Sequence, residues 1–484
     1  MMNGLVACHE FKHGWREKLL PTLLVITLLL TGFSFYNGYQ WSKQQQAVIA
    51  AAQLEQQQAI AQAQQALVKR RATTPINWWD DVTDLRGYAF YLMVNYALKP
   101  PQAMAPVAVG QSDVLPYFFR LTVGKKQDFI HQHETVHPLL LQLGKFDLAF
   151  FTVYLLPLLI IVACYSALSQ EKHSGQLLSL MVQGLSPLRL LLIQLTVRAG
   201  VIVIPLIAGS LLLLIIFQPE ASALALLGLG GLLLLYALFW LALCALVISF
   251  GKTASYNIST LIACWLAWVI IIPALGNSWM QWMHPVPSRI HYVDTLRQVT
   301  DQVEQSTANT LANFFQDHPE LASNNAAKPL DHYSVKKLAS INAIEKTMQP
   351  VQQAFEQHLI QQQRSAAQWQ LLSPASITQS ALSQLAGNGL EGHQHFMAQT
   401  QQYHAQLRGY FQTRIIAAVG RGDFAPCEGC NANITLTEFS AIPVFSYRSY
   451  APSIQWLPIG CLATMVLIMA YVALIRVGGL GRAQ

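Results

Sequence analysis

Residues 221–250 read ASALALLGLGGLLLLYALFWLALCALVISF, thirty positions without an Asp, Glu, Lys, Arg or His. A helix rises about 1.5 Å per residue, so about 20 apolar residues cross a hydrocarbon core roughly 30 Å thick. Within that core each backbone N–H and C=O needs a partner inside the chain, which a helix supplies by itself. The run is continuously apolar and shows no alternation, so it predicts a membrane-spanning helix. Working outward from it, comparable runs occupy residues 19–38, 147–168, 198–217, 257–276 and 456–476. The expected fold is therefore an α-helical polytopic membrane protein with six transmembrane helices. The overall composition agrees: 53% of the 484 residues are hydrophobic and 11% charged, against about 25% charged in soluble domains.

Loop charge predicts the threading. Basic residues near the spans are Lys12, Arg16 and Lys18 in the 1–18 segment, and Lys172, Arg189 and Arg198 in and around the 169–197 segment. Lys252 lies between the fourth and fifth runs, and Arg476 and Arg482 lie at the C-terminal end of the sixth and in the 477–484 tail. Six spans put these four segments on one side, which the positive-inside rule assigns to the cytoplasm. Both termini are then cytoplasmic, in a multi-pass protein of the inner (cytoplasmic) membrane. The first run is longer than a signal-peptide core and lacks a nearby small-x-small site, so it reads as an uncleaved anchor. The net charge of +6 is spread over loops and flanks. No dense basic run interleaves with stacking aromatics, so the charge does not point to nucleic acid.

The opposite side receives a tight turn at Gln218-Pro219-Glu220 and two long insertions, residues 39–146 and 277–455, both expected to be mainly helical and extracytoplasmic. Gln and Ala dominate 43–69, good helix formers that continue the first span. Helical spacing of apolar residues recurs near 292–317, 335–363 and 392–417. Trp279 and Trp282 fall just past the fifth run, where an aromatic belt is expected; Trp78 and Trp79 lie beside polar sequence in the first insertion.

Several residues invite a chemical reading. His133-Glu134-Thr135-Val136-His137 has the spacing of a zinc protease helix, with Glu134 as base. Pro138 interrupts that helix, and no third ligand stands at a familiar distance, so a membrane zinc metalloprotease is the remote alternative. His131, His133 and His137 in one insertion and His393 and His395 in the other are weak metal candidates. Cys427 and Cys430 form the only close cysteine pair. In an oxidising compartment it reads first as a small disulfide, with a metal site or a redox pair as alternatives. Cys164, Cys244, Cys264 and Cys461 lie in apolar runs as packing residues, and Cys8 lies near the N-terminus. Gly251-Lys252-Thr253 imitates the end of a phosphate-binding loop, but the glycine needed five positions earlier is Leu246. The spans hold almost no charge, which argues against a proton relay.

Between the second and third runs the chain reads Gln170-Glu171-Lys172-His173-Ser174-Gly175-Gln176-Leu177-Leu178, then Gly184-Leu185-Ser186-Pro187-Leu188-Arg189. This resembles the cytoplasmic segment of ABC-2-type ABC transporter permeases, with Gln176 where those proteins carry threonine. Four further segments extend the resemblance across most of the chain. They are Gly110 to Pro116, Pro138 to Phe150 with Tyr154 to Leu158, Pro285-Val286-Pro287-Ser288-Arg289, and Ile442-Pro443-Val444-Phe445. These segments are similar to a branch of the permeases with large extracytoplasmic loops and a domain of unknown function, related to multi-copper enzyme maturation permeases.

The resemblance implies a non-enzymatic permease subunit of an exporter, with Glu171, Gly175, Gln176, Gly184, Ser186 and Pro187 coupling it to a cytoplasmic ABC ATPase. It implies a second permease, copy or paralogue, in the bilayer, and ATP and Mg bound by the partner with no cofactor in this chain. The alternative is an ATPase-driven envelope scaffold or maturation factor, with a copper link, that holds a periplasmic protein.

Overall fold

The computed structural model describes residues 2–69, 77–110, 112, 115–126, 145–285, 289–317, 319, 333–421, 434–450 and 455–480. Six of its helices are long and apolar enough to cross a membrane. In chain order the helices are α1 (Met2–Arg16), α2 (Leu19–Lys69), α3 (Leu148–His173), α4 (Gln176–Val182), α5 (Pro187–Phe217), α6 (Ala223–Ile248) and α7 (Ala254–Met283). They continue with α8 (Arg289–Gln305), α9 (Thr307–Asp317), α10 (Tyr333–Gln370), α11 (Pro374–Leu385), α12 (Leu390–Arg421) and α13 (Trp456–Leu480). The spans are the first part of α2, then α3, α5, α6, α7 and α13. Each overlaps one of the apolar runs; α5 starts earlier than its run, at Pro187, α7 ends later than its run, at Met283, and α2 continues unbroken through the Gln/Ala stretch to Lys69.

The most apolar stretches of α3 and α6 are each 61% buried, against 11% for α7 and 17% for α13. The first two therefore form the centre of the bundle, and α7 and α13 lie on its outside. Tyr236, Phe239 and Trp240 of α6 are enclosed there. Gly38 of α2 lies against the chain at Pro106, whose carbonyl oxygen would stand 2.0 Å from a Cβ at that position. Only glycine permits this approach.

Two spans contain a wide π-turn immediately before a proline: Phe151–Leu155 before Pro157 in α3, and Leu266–Ile271 before Pro273 in α7. Proline has no N–H to return to the preceding turn, and a freed carbonyl inside a bilayer needs another donor. In α3 the Tyr236 hydroxyl donates to Val153 O at 2.9 Å and the Trp265 indole donates to Tyr154 O at 3.2 Å. In α7 the Ser373 hydroxyl donates to Trp268 O at 2.7 Å.

Beyond the bundle, parts of both insertions share one hydrophobic core. It gathers Ala63 of α2, residues around Tyr88 and Phe119, Phe314 of α9, Leu338 of α10, Phe396 and Phe411 of α12, and Ile434. The seam is a buried ion pair, Asp84 with Arg86 at 2.8 Å. Asp84 Oδ2 also accepts the Ile434 N–H at 3.0 Å, and Leu85 N–H donates to Ile434 O at 2.7 Å. The first insertion departs from the mainly helical expectation beyond Lys69. It carries a two-stranded antiparallel sheet, β1 (Tyr96–Leu98) with β2 (Phe118–Arg120), Tyr96 facing Arg120. Trp78 is buried here under the Arg86 guanidinium, 4.9 Å from its ring. Trp279 and Trp282 pair at 5.3 Å near the end of α7.

Candidate functional site

The hairpin joining α3 to α5 is shaped by local chemistry. Gly175, at φ +76°, starts α4, and Gly184, at φ +87°, ends it. At that end Leu185 N–H reaches Leu180 O at 3.1 Å and Gly184 N–H reaches Met181 O at 2.9 Å, the paired bonds of a Schellman stop. Two residues later Ser186 caps α5, accepting the Arg189 N–H, with Pro187 at the first helical position. That proline loses nothing there because its N–H would be orphaned anyway. Gly184-Leu185-Ser186-Pro187 is therefore one helix stop fused to one helix start. Gln176 opens α4 and is exposed; Leu177 and Leu185 are buried against the bundle.

Glu171 lies in the last turn of α3. Its carboxylate accepts a hydrogen bond from Gln194 Nε2 of α5, and Gln194 Oε1 accepts the Leu168 N–H at 2.9 Å. Gln194 has no exposure to solvent. Leu168 has φ +58°, a left-handed conformation costing a non-glycine residue roughly 1–2 kcal/mol. Asn257 of α7 donates to Ser169 Oγ at 2.8 Å, and Lys172 donates to Gly251 O at 2.8 Å. The hairpin is thereby tied to α5, to α7 and to the α6–α7 turn. In that turn Thr253 caps α7, accepting the Tyr256 N–H. Opposite the buried Leu177, Leu178 and Val182 are 60% and 84% exposed.

Composition and spacing missed two features. Arg198 of α5 forms an ion pair with Glu10 of α1 at 2.6 Å, both nearly buried, and also donates to Ser166 Oγ at 2.9 Å. The pair clamps the N-terminal helix onto the bundle; its partners lie 188 positions apart, so no local pattern announces it. Helix α11 was also unforeseen. It seats Ile377, Leu382 and Ala386 in the bundle core, wedged among α3, α6, α7 and α13.

Among the other sequence candidates, His393 and His395 do not converge. His393 lies beside Lys99, and burial with that neighbouring charge lowers its pKa to about 4. Lys99 itself is lowered to about 8 by burial. His395 bonds Arg448 O at 3.1 Å and faces the Tyr450 ring. Among the described residues no three His, Cys, Asp or Glu side chains gather as a metal site. His131, His133, Glu134, His137, Cys427 and Cys430 lie outside the described residues.

On the opposite face of the bundle, where α11 meets the spans, lies a cavity of about 510 Å³. It adjoins an apolar one of about 260 Å³ through the shared side chains Gln370, Gln384 and Gln455. Asp147, capping α3, accepts the Val109 N–H at 2.7 Å, and Asn388 donates to Ala108 O at 2.7 Å. These bonds hold the 107–110 segment, whose Gly110 lines the cavity.

These features define an α-helical, membrane-embedded protein with a large folded body between its first and second and its fifth and sixth spans. Residues 289–425 match the family model described as "Domain of unknown function (DUF3526)", a stretch running from α8 through α12 and including, among the described residues, none of the six spans. Comparison with curated proteins and with solved structures returns no significant match.

Proposed function

We propose that the chain is the transmembrane permease subunit of an ATP-driven ABC exporter in the inner membrane, with its ATPase on a separate cytoplasmic polypeptide. The observation that carries this reading is the outer face of α4. A seven-residue helix is marginal by itself, yet this one is built at both ends and anchored by Leu177. Its outward side presents Leu178 and Val182, four residues apart. Two exposed aliphatic side chains on one helical face suit a groove on a partner, and burying each fully is worth about 1.5–3 kcal/mol. In this reading the positive-inside rule, applied to the basic residues flanking the spans, puts this side in the cytoplasm and the insertions outside it.

In this reading Glu171, Gly175, Gln176, Gly184, Ser186 and Pro187 frame the coupling element. A push on α4 passes through the Glu171–Gln194 bond into α5 and through Lys172 into the α6–α7 turn. A second permease, copy or paralogue, completes the path through the bilayer.

The test is co-reconstitution in nanodiscs with a candidate ABC ATPase. Leu178→Asp with Val182→Asp should lower ATPase binding at least tenfold and abolish ATP-dependent flux, with the melting temperature unchanged. Undiminished binding by the double variant would overturn the reading. So would labelling of cysteines placed at His173 and His395 from the same side of a sealed vesicle.

A further inference from the structure

We propose that the paired cavities beneath α11 bind a membrane amphiphile with an uncharged, hydroxyl-rich head, of the alkyl-glycoside or glycolipid class. The chambers differ in chemistry, and the difference follows the membrane. The apolar one is walled by Leu224, Ala225 and Gly228 at the start of α6, by Ile377 and Ala381 of α11, and by Ile459 of α13. Leu224 of its lining is exposed, and Leu227, Trp456 and Leu457, close in sequence to lining residues, are likewise more than 70% exposed. These stand at the ends of two spans, so an acyl chain can enter sideways from lipid.

The larger chamber lies on the insertion side and is lined by six glutamines and three serines, with Glu391 its one charged residue among those described. Its volume falls within the range of roughly 300–1,000 Å³ usual for small-ligand sites.

The lining selects the head. No Lys or Arg borders either chamber among the described residues, so a phosphate or sulfate would enter without a counter-charge. The two helix N-termini that meet here are already served: Ser373 caps α11, and Glu391 occupies the first turn of α12. Glu391, the one carboxylate on the wall among the described residues, already accepts bonds from the Tyr450 hydroxyl and from Gln455 Nε2. Primary amides both donate and accept, which matches the mixed donors and acceptors of sugar hydroxyls. Gln379 Oε1, on the chamber wall, is buried without a hydrogen-bond partner, and an O–H donor would satisfy it. The site stands whether or not an ATPase drives the protein.

The test uses the full chain in nanodiscs without nucleotide, with radiolabelled dodecyl maltoside as the probe. Saturable binding of one equivalent is expected, with dodecyl sulfate and dodecylphosphocholine competing at least tenfold more weakly and free maltose not competing. Gly228→Phe or Ala381→Phe, filling the apolar chamber, should weaken binding at least tenfold. Leu224→Trp narrows the apolar chamber from an exposed position, and keeps the test decisive if a chamber variant fails to fold. Gln384→Leu should weaken maltoside binding about fivefold while leaving dodecyl sulfate unchanged. Equal binding of all three heads, competition by maltose alone, or indifference to Leu224→Trp would overturn the proposal.

Discussion

Replacing Gln194 with leucine tests how the α3–α5 hairpin is held. In the native protein one enclosed side chain accepts from the strained Leu168 and donates to Glu171. Gln194→Leu keeps the volume and removes both bonds. A buried polar group deprived of its partner costs about 1–3 kcal/mol, and more when charged. Relaxation of Leu168 out of its left-handed conformation returns part of this. A net loss of about 2–3 kcal/mol confined to the end of α3 corresponds to roughly 30- to 150-fold more frequent local opening. The assay is hydrogen–deuterium exchange on the nanodisc-embedded protein, following amides of 168–175. Glu171→Gln retains an acceptor but loses the charge, and should raise exchange only about fivefold, since charge-assisted bonds are roughly twice as strong as neutral ones. An increase below threefold for Gln194→Leu, with the melting temperature intact, would refute the claim that this residue latches the hairpin.

Two further outcomes are expected. Tyr236→Phe deprives Val153 O of its donor beside Pro157 and should lower stability by about 1 kcal/mol, as interhelical hydrogen bonds in membranes do, measured by thermal unfolding in detergent; Phe239→Leu provides a packing control. His404 is buried in the insertion core, and burial chiefly lowers its pKa to about 4 from the usual 6.5. Between those values the unfolded chain binds the proton and the folded one does not, so stability rises with pH across that window. It is lost on acidification, by about 3 kcal/mol from this group. Melting curves from pH 4 to 7 should show that slope, and His404→Gln should reduce it, leaving the part that His393 contributes.

The six spans were legible because crossing a bilayer imposes a length and an apolarity that few other constraints imitate. The turns of the α3–α5 hairpin were legible for a related reason: Gly184, Ser186 and Pro187 each act within a few residues, so their chemistry is written locally. The insertions were less so. The strands β1 and β2 are three residues each, below any readable alternation. The polar-looking Ser373 to Leu385 stretch becomes a helix in the bundle core because neighbours distant in sequence enclose Ile377 and Leu382. The Asp84–Ile434 seam joins positions 350 apart, and Glu10 meets Arg198 only after α1 folds back. The amide-lined chamber is likewise assembled from α3, α7, α10, α11 and α12, none of which carries a recognisable ligand motif.

One further property belongs to α2. Its fifty-one residues run without a break from the end of the bundle next to α1 into the shared core of the insertions, a rod about 77 Å long at 1.5 Å per residue. Lys18, with φ +62°, separates it from α1 and provides a pivot at its base. A tilt of only about 5° there would sweep the far end by roughly 7 Å on the same geometry. The helix is thus a lever, able to convert small displacements at one membrane face into large ones well beyond the other.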